Sequence, residues 1–149
     1  MVIKITKENS EGNALQTTYA YDNLIRDAEK SEKLSTIYSI FELSFRKNNE
    51  DVYFVDGNNI KYRMKVFTNP DGQRGGWINE KTKMALNVFV GEGSIILASS
   101  IGPNSKIGER VYVAGNVIMG KNVTVIDGMW IDSGNEIPDS FLVHTNITK

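Results

Sequence analysis

Val111-Tyr112-Val113-Ala114-Gly115-Asn116-Val117-Ile118-Met119-Gly120-Lys121-Asn122-Val123-Thr124-Val125 decides the fold. Val113, Met119 and Val125 stand six apart, and so do Val111, Val117 and Val123. Extended both ways, the first series reads Ile101, Ile107, Val113, Met119, Val125, Ile131, Ile137 and Val143. One step of five leads back from Ile101 to Ile96, and steps of six continue through Val90 and Met84 to Ile78. Every one of these positions is Ile, Val or Met. Four places after each, as far as the eleventh, stand Thr82, Val88, Ser94, Ser100, Ser105, Val111, Val117, Val123, Met129, Asn135 and Phe141. That column is small or aliphatic until its last members. Gly follows the aliphatic at 91, 102, 108 and 120, and Ala at 85 and 114.

An ordinary sheet has no reason to hold a period of six for so long. A parallel β-helix with triangular coils does, because each hexapeptide supplies one short flat side and one corner. The aliphatic points inward and the small residue fits inside the corner. Gly or Asn tolerates the positive φ of a tight bend, as in Gly115-Asn116, Lys121-Asn122, Asp127-Gly128 and Ser133-Gly134. Three hexapeptides make a coil of about eighteen residues, and the whole series makes about four coils, beyond the roughly three units a solenoid needs. The five-residue step is a one-residue deletion that tightens one corner.

Residues flanking each inward aliphatic point outward. Taking every third hexapeptide, one side collects Trp77, Ile95, Tyr112 and Trp130 before the inward positions, with Asn79, Leu97, Ala114 and Asp132 after them. The other two sides are more polar or mixed: Lys83, Ser100, Ile118 and Glu136 on one, and Phe89, Lys106, Thr124 and Leu142 on the other. Both tryptophans of the chain therefore fall on one stripe. A stripe of that size needs covering. Two coverings fit: a neighbouring copy in a homotrimer, or the chain's own amphipathic helix. Trp77, Ile95, Leu97, Tyr112 and Trp130 are the candidate interface residues.

Ahead of the repeats the chain reads as mixed α and β. Val2 to Thr6 suits a short strand, and Leu15, Thr17, Tyr19 and Tyr21 alternate as a second would. Asp22 can cap a short helical stretch that runs into a longer one. There Leu34, Ile37, Tyr38, Phe41 and Phe45 give one apolar face, closed by Arg46, Lys47 and Asn48-Asn49. Val52 to Asp56 and Ile60 to Phe67 flank Gly57-Asn58-Asn59 as a β-hairpin, and Asn69-Pro70-Asp71-Gly72 is a turn. The expected fold is therefore mainly β. Residues 1–76 form a small α+β N-terminal part, and residues 77–149 form the β-helix.

Composition narrows the chemistry. The 149 residues include no cysteine and one histidine, His144. Disulfides, thiolate metal sites, cysteine nucleophiles and any site needing several imidazoles from one chain are excluded. A net charge of −1 points to neither nucleic acid nor an anionic membrane. The alternating start, Met1-Val2-Ile3-Lys4-Ile5-Thr6-Lys7, is not a signal peptide, and no run is long enough to span a membrane. Without a secretion signal, the glycosylation patterns at Asn122-Val123-Thr124 and Asn146-Ile147-Thr148 read as chance. The expected location is cytoplasmic, in a bacterium or a phage-infected host.

The repeats resemble those of the hexapeptide-repeat proteins that form left-handed β-helices, and the left hand is implied by that resemblance. Tyr62-Arg63-Met64-Lys65, a turn, and then Gly75-Gly76-Trp77-Ile78 ahead of the repeats resemble phage- and prophage-encoded β-helix proteins, most of which have no known activity. The chain departs from them after Trp77, where it lacks their run of Gly-Asn-Ala-like repeats. The resemblance implies a homotrimer. It also brings in acyl transfer from coenzyme A or acyl carrier protein, with a histidine as general base.

Only His144 could serve as that base. It sits just after Val143 and points outward, with Asp127 and Asp139 as possible orienting carboxylates. The chain also lacks the long extruded loop of the acyltransferases. The zinc chemistry of the same fold needs three imidazoles, so no metal site is expected. Lys61, Arg63 and Lys65 alternate with Tyr62, Met64 and Val66, which puts three cations on one strand face. With Arg74 they form a candidate anion site, although a solvated hairpin face explains them as well. Gln73-Arg74-Gly75-Gly76 is no phosphate-binding loop, since no Lys-Ser/Thr or helix follows. Glu8, Glu11, Asp22 and Asp27 show no pairing that marks catalysis.

The expected function is therefore non-enzymatic binding or assembly, without a cofactor. The protein would act as a virion component or by capturing a host protein or small ligand. The alternatives are a hexapeptide acyltransferase using His144 and a nucleotide-binding sponge.

Overall fold

The computed structural model describes residues 2–8, 14–20, 27–48 and 51–148, with side chains over 32–46 and 51–148. The chain divides into two compact units, Met1–Lys65 and Val66–Lys149.

In the first unit β1 (Val2–Glu8) pairs antiparallel with β2 (Ala14–Ala20) and, on its other edge, with β3 (Val52–Val55). Strand β4 (Lys61–Thr68) pairs antiparallel with β3 and runs out of the unit at its end. The β3–β4 turn contains Asn59 at φ 63°. Asp56 Oδ1 holds this turn by accepting the N–H groups of Asn58 at 2.9 Å and Ile60 at 3.0 Å. The expected helix is α1 (Asp27–Asn48). Leu34, Ile37 and Phe41 are buried on it, and the Phe41 ring meets Phe54 of β3 edge-on at 6.5 Å. Phe45 does not continue that face. Ser44 is buried instead, its hydroxyl donating to Ile40 O at 3.0 Å, while Phe45 is exposed. Steps of three, four and three from Leu34 carry the buried stripe round the helix to Ser44, about 100° from Phe45, which is left at the stripe's margin. The expected Asp22 cap lies outside the described residues.

The second unit is a parallel β-solenoid of about four turns, three-sided in cross-section. Its first side stacks β5 (Arg74–Asn79), β8 (Ile95–Ile96), β11 (Tyr112–Val113) and β14 (Trp130–Ile131). The second side stacks β6 (Lys83–Met84), β9 (Ser100–Ile101), β12 (Ile118–Met119) and β15 (Glu136–Ile137). The third stacks β7 (Phe89–Val90), β10 (Lys106–Ile107), β13 (Thr124–Val125) and β16 (Leu142–Val143). The period-six aliphatics occupy one position in every strand and form the core with Val88, Val111, Val117 and Val123. Met84, in the first coil, is half-buried.

The corners explain the spacing. Asn87, Asn104, Asn122 and Ser140 stack between the second and third sides, all at φ between 54° and 62°. Asn87 Nδ2 donates to Asn104 Oδ1 at 2.9 Å, which ties adjacent coils together. Gly93, Arg110 and Gly128 hold the equivalent bend between the third and first sides. The corner shortened by one residue, after Ile96, has no positive φ. Hydroxyls at the small inside positions also link coils. Ser94 Oγ donates to Gly108 O at 2.8 Å and accepts from Val111 N–H at 3.0 Å. Ser105 repeats this with Gly120 O and Val123 N–H, and Thr82 Oγ1 donates to Ala98 O at 2.7 Å. A buried polar group is tolerated when it is bonded, and these hydroxyls satisfy carbonyls that the bends leave open.

Candidate functional site

The aromatic stripe stands in register on the first side. Trp77 lies beside Ile95, Ile95 beside Tyr112, and Tyr112 beside Trp130. The Tyr112 and Trp130 rings stack at a tilt, with centroids 4.5 Å apart. Such pairs add about 0.5–1.5 kcal/mol beyond their area burial. Within the single chain Trp77, Ile95, Leu97, Tyr112 and Trp130 are 0–3 % exposed. Their burial does not require a second copy.

Exposed aliphatics lie on the other two sides. Ile118 of the second side is 49 % exposed, and Ile126 and Leu142 of the third are 41 % and 50 % exposed. Leu86, at the corner between them, is exposed as well.

His144 follows β16 and is exposed. Among the described residues it has no hydrogen bond or ion pair. The two carboxylates considered as its orienting partners are held elsewhere. Asp127 Oδ1 accepts Glu109 N–H at 2.8 Å, and Asp139 Oδ1 accepts Lys121 N–H at 2.9 Å. Each therefore satisfies a backbone donor of the preceding coil. A general base is oriented by a partner and works in a site that excludes water, and the surroundings of His144 show neither. Among the described residues no three His, Asp or Glu side chains come together as metal ligands.

Lys61, Arg63 and Lys65 share the exposed face of β4, as their alternation requires. Arg74 opens β5, in the other unit. Two of the hairpin's three cations have local partners. Arg63 is bonded to Asp51, and Lys61 Nζ sits 3.9 Å from the centroid of the Tyr53 ring. Both contacts follow from the β3–β4 register, which sets Arg63 opposite Tyr53 and Lys61 opposite Val55. That register was the signal by which Asp51 and Tyr53 could have been found. On the same hairpin Tyr62 Oη donates to Asp56 Oδ2 at 3.2 Å. Burial, and then the neighbouring Asp56 charge and this bond, push the Tyr62 phenol up to about 12. The side chains of Glu8, Glu11, Asp22 and Asp27 are outside those described.

Among the described residues no helix is long and apolar enough to cross a membrane. The fold and these side chains thus define a protein with a β-solenoid of about four turns and an N-terminal helix. Comparison with family models, curated proteins and solved structures finds no match.

Proposed function

We propose that this chain is a non-enzymatic binding or assembly protein of the hexapeptide-repeat kind, with a left-handed coil, similar in style to phage-encoded β-helix proteins. It works as a homotrimer built through its β-helix. Its task is to contribute to a virion or to capture a host protein or small anionic ligand in the cytoplasm.

The observation that supports this reading is the distribution of apolar surface on the solenoid. Ile118, Ile126 and Leu142 stand exposed on two flat sides, where a neighbouring copy or partner can reach them. The Trp77, Tyr112 and Trp130 stripe backs the remaining side and is already withheld from solvent in one chain. Asp127 and Asp139, the carboxylates considered as orienting partners of His144, hold backbone donors instead, and Arg63 holds Asp51.

Native mass spectrometry of gently purified protein tests the proposal, since it reads stoichiometry and retained ligands together. The expected spectrum shows a three-chain species, with or without a bound anion. A covalently acylated chain, or turnover of an acyl-coenzyme A that is lost in His144→Ala, would overturn it in favour of acyl transfer.

A further inference from the structure

We draw no further inference here: the strongest candidate, the exposed apolar patch of Ile118, Ile126 and Leu142 on the second and third sides of the solenoid, belongs to the surface already proposed for self-association, and nothing in the structure shows what covers it.

Discussion

Asp127 lies directly over Gly108, one coil further on. Its Oδ1 bonds Glu109 N–H and occupies the space where a Cβ on residue 108 would project, and its own backbone N is 2.8 Å from that position. Asp139 repeats the arrangement over Gly120, bonding Lys121 N–H. The glycine thus leaves room for the carboxylate that satisfies its neighbour's backbone. Gly108→Ala and Gly120→Ala should each destabilise the chain by about 1–3 kcal/mol through overpacking. Adding Asp127→Ala to Gly108→Ala should relieve part of this loss, so the pair is non-additive. Chemical denaturation of the four members of the cycle checks it, and strict additivity would argue against the shared space.

Ser94 and Ser105 are fully buried, and each joins two coils through its hydroxyl. Ser94→Ala strands Gly108 O and Val111 N–H in an apolar corner. The expected destabilisation is about 1–3 kcal/mol for a buried group left unpaired. Exposed Ser99 is the control, where Ala should change stability by no more than about 0.5 kcal/mol. Equal effects at both positions would remove the bridging role.

Arg110 adopts φ 53° at a corner where the neighbouring coils use Gly93 and Gly128. A side chain in this region costs roughly 1–2 kcal/mol, partly offset by the greater chain entropy glycine loses on folding. Its ion pair with Glu109, at 3.7 Å and solvent-exposed, contributes little. Arg110→Gly is therefore expected to stabilise the chain by about 0.5–1 kcal/mol, seen as a rise in Tm, whereas Gly128→Ala should lower it. A lower Tm for Arg110→Gly would contradict the reading of this corner.

Tyr62 keeps its proton in the folded chain until about pH 12, against an ordinary value of 10.0. Folded protein therefore holds a proton that the unfolded chain releases between those values. The stabilisation is fully present below pH 10 and fades as pH climbs toward 12. Spectrophotometric titration should show one phenol ionising late, and Tyr62→Phe should flatten the alkaline loss of stability. A phenol titrating at the ordinary value would refute the coupling to Asp56.

The solenoid was legible because one chemical demand repeats. An inward position in a two-residue strand accepts little besides Ile, Val or Met, so Ile78 through Val143 write the coil into the sequence. The bends at Asn116, Asn122, Gly128 and Gly134 were legible for the same reason, since few residues accept positive φ. The hairpin followed from Gly57-Asn58-Asn59. What the sequence hid depends on partners about one coil apart. Asn69 capping Val90, Asn146 capping Trp130 and Asp127 bonding Glu109 look like ordinary loop residues until the coil length places them. Phe45 was misjudged because an i+4 step from Phe41 fits the helical pattern as well as the i+3 step to Ser44. Lys61 and Arg63 looked like a free cationic face because Tyr53 and Asp51 lie across the hairpin. His144 could be placed at the end of the last coil, pointing outward, but the commitment of Asp127 and Asp139 to backbone donors became visible only in three dimensions.

Self-association through the flat sides of the solenoid is the central claim, and sedimentation equilibrium at micromolar concentration tests it most directly. The expected result is one species with three times the mass of the chain, shifted toward single chains by Leu142→Lys together with Ile126→Lys. A wild-type protein that sediments as a single chain at that concentration would contradict it.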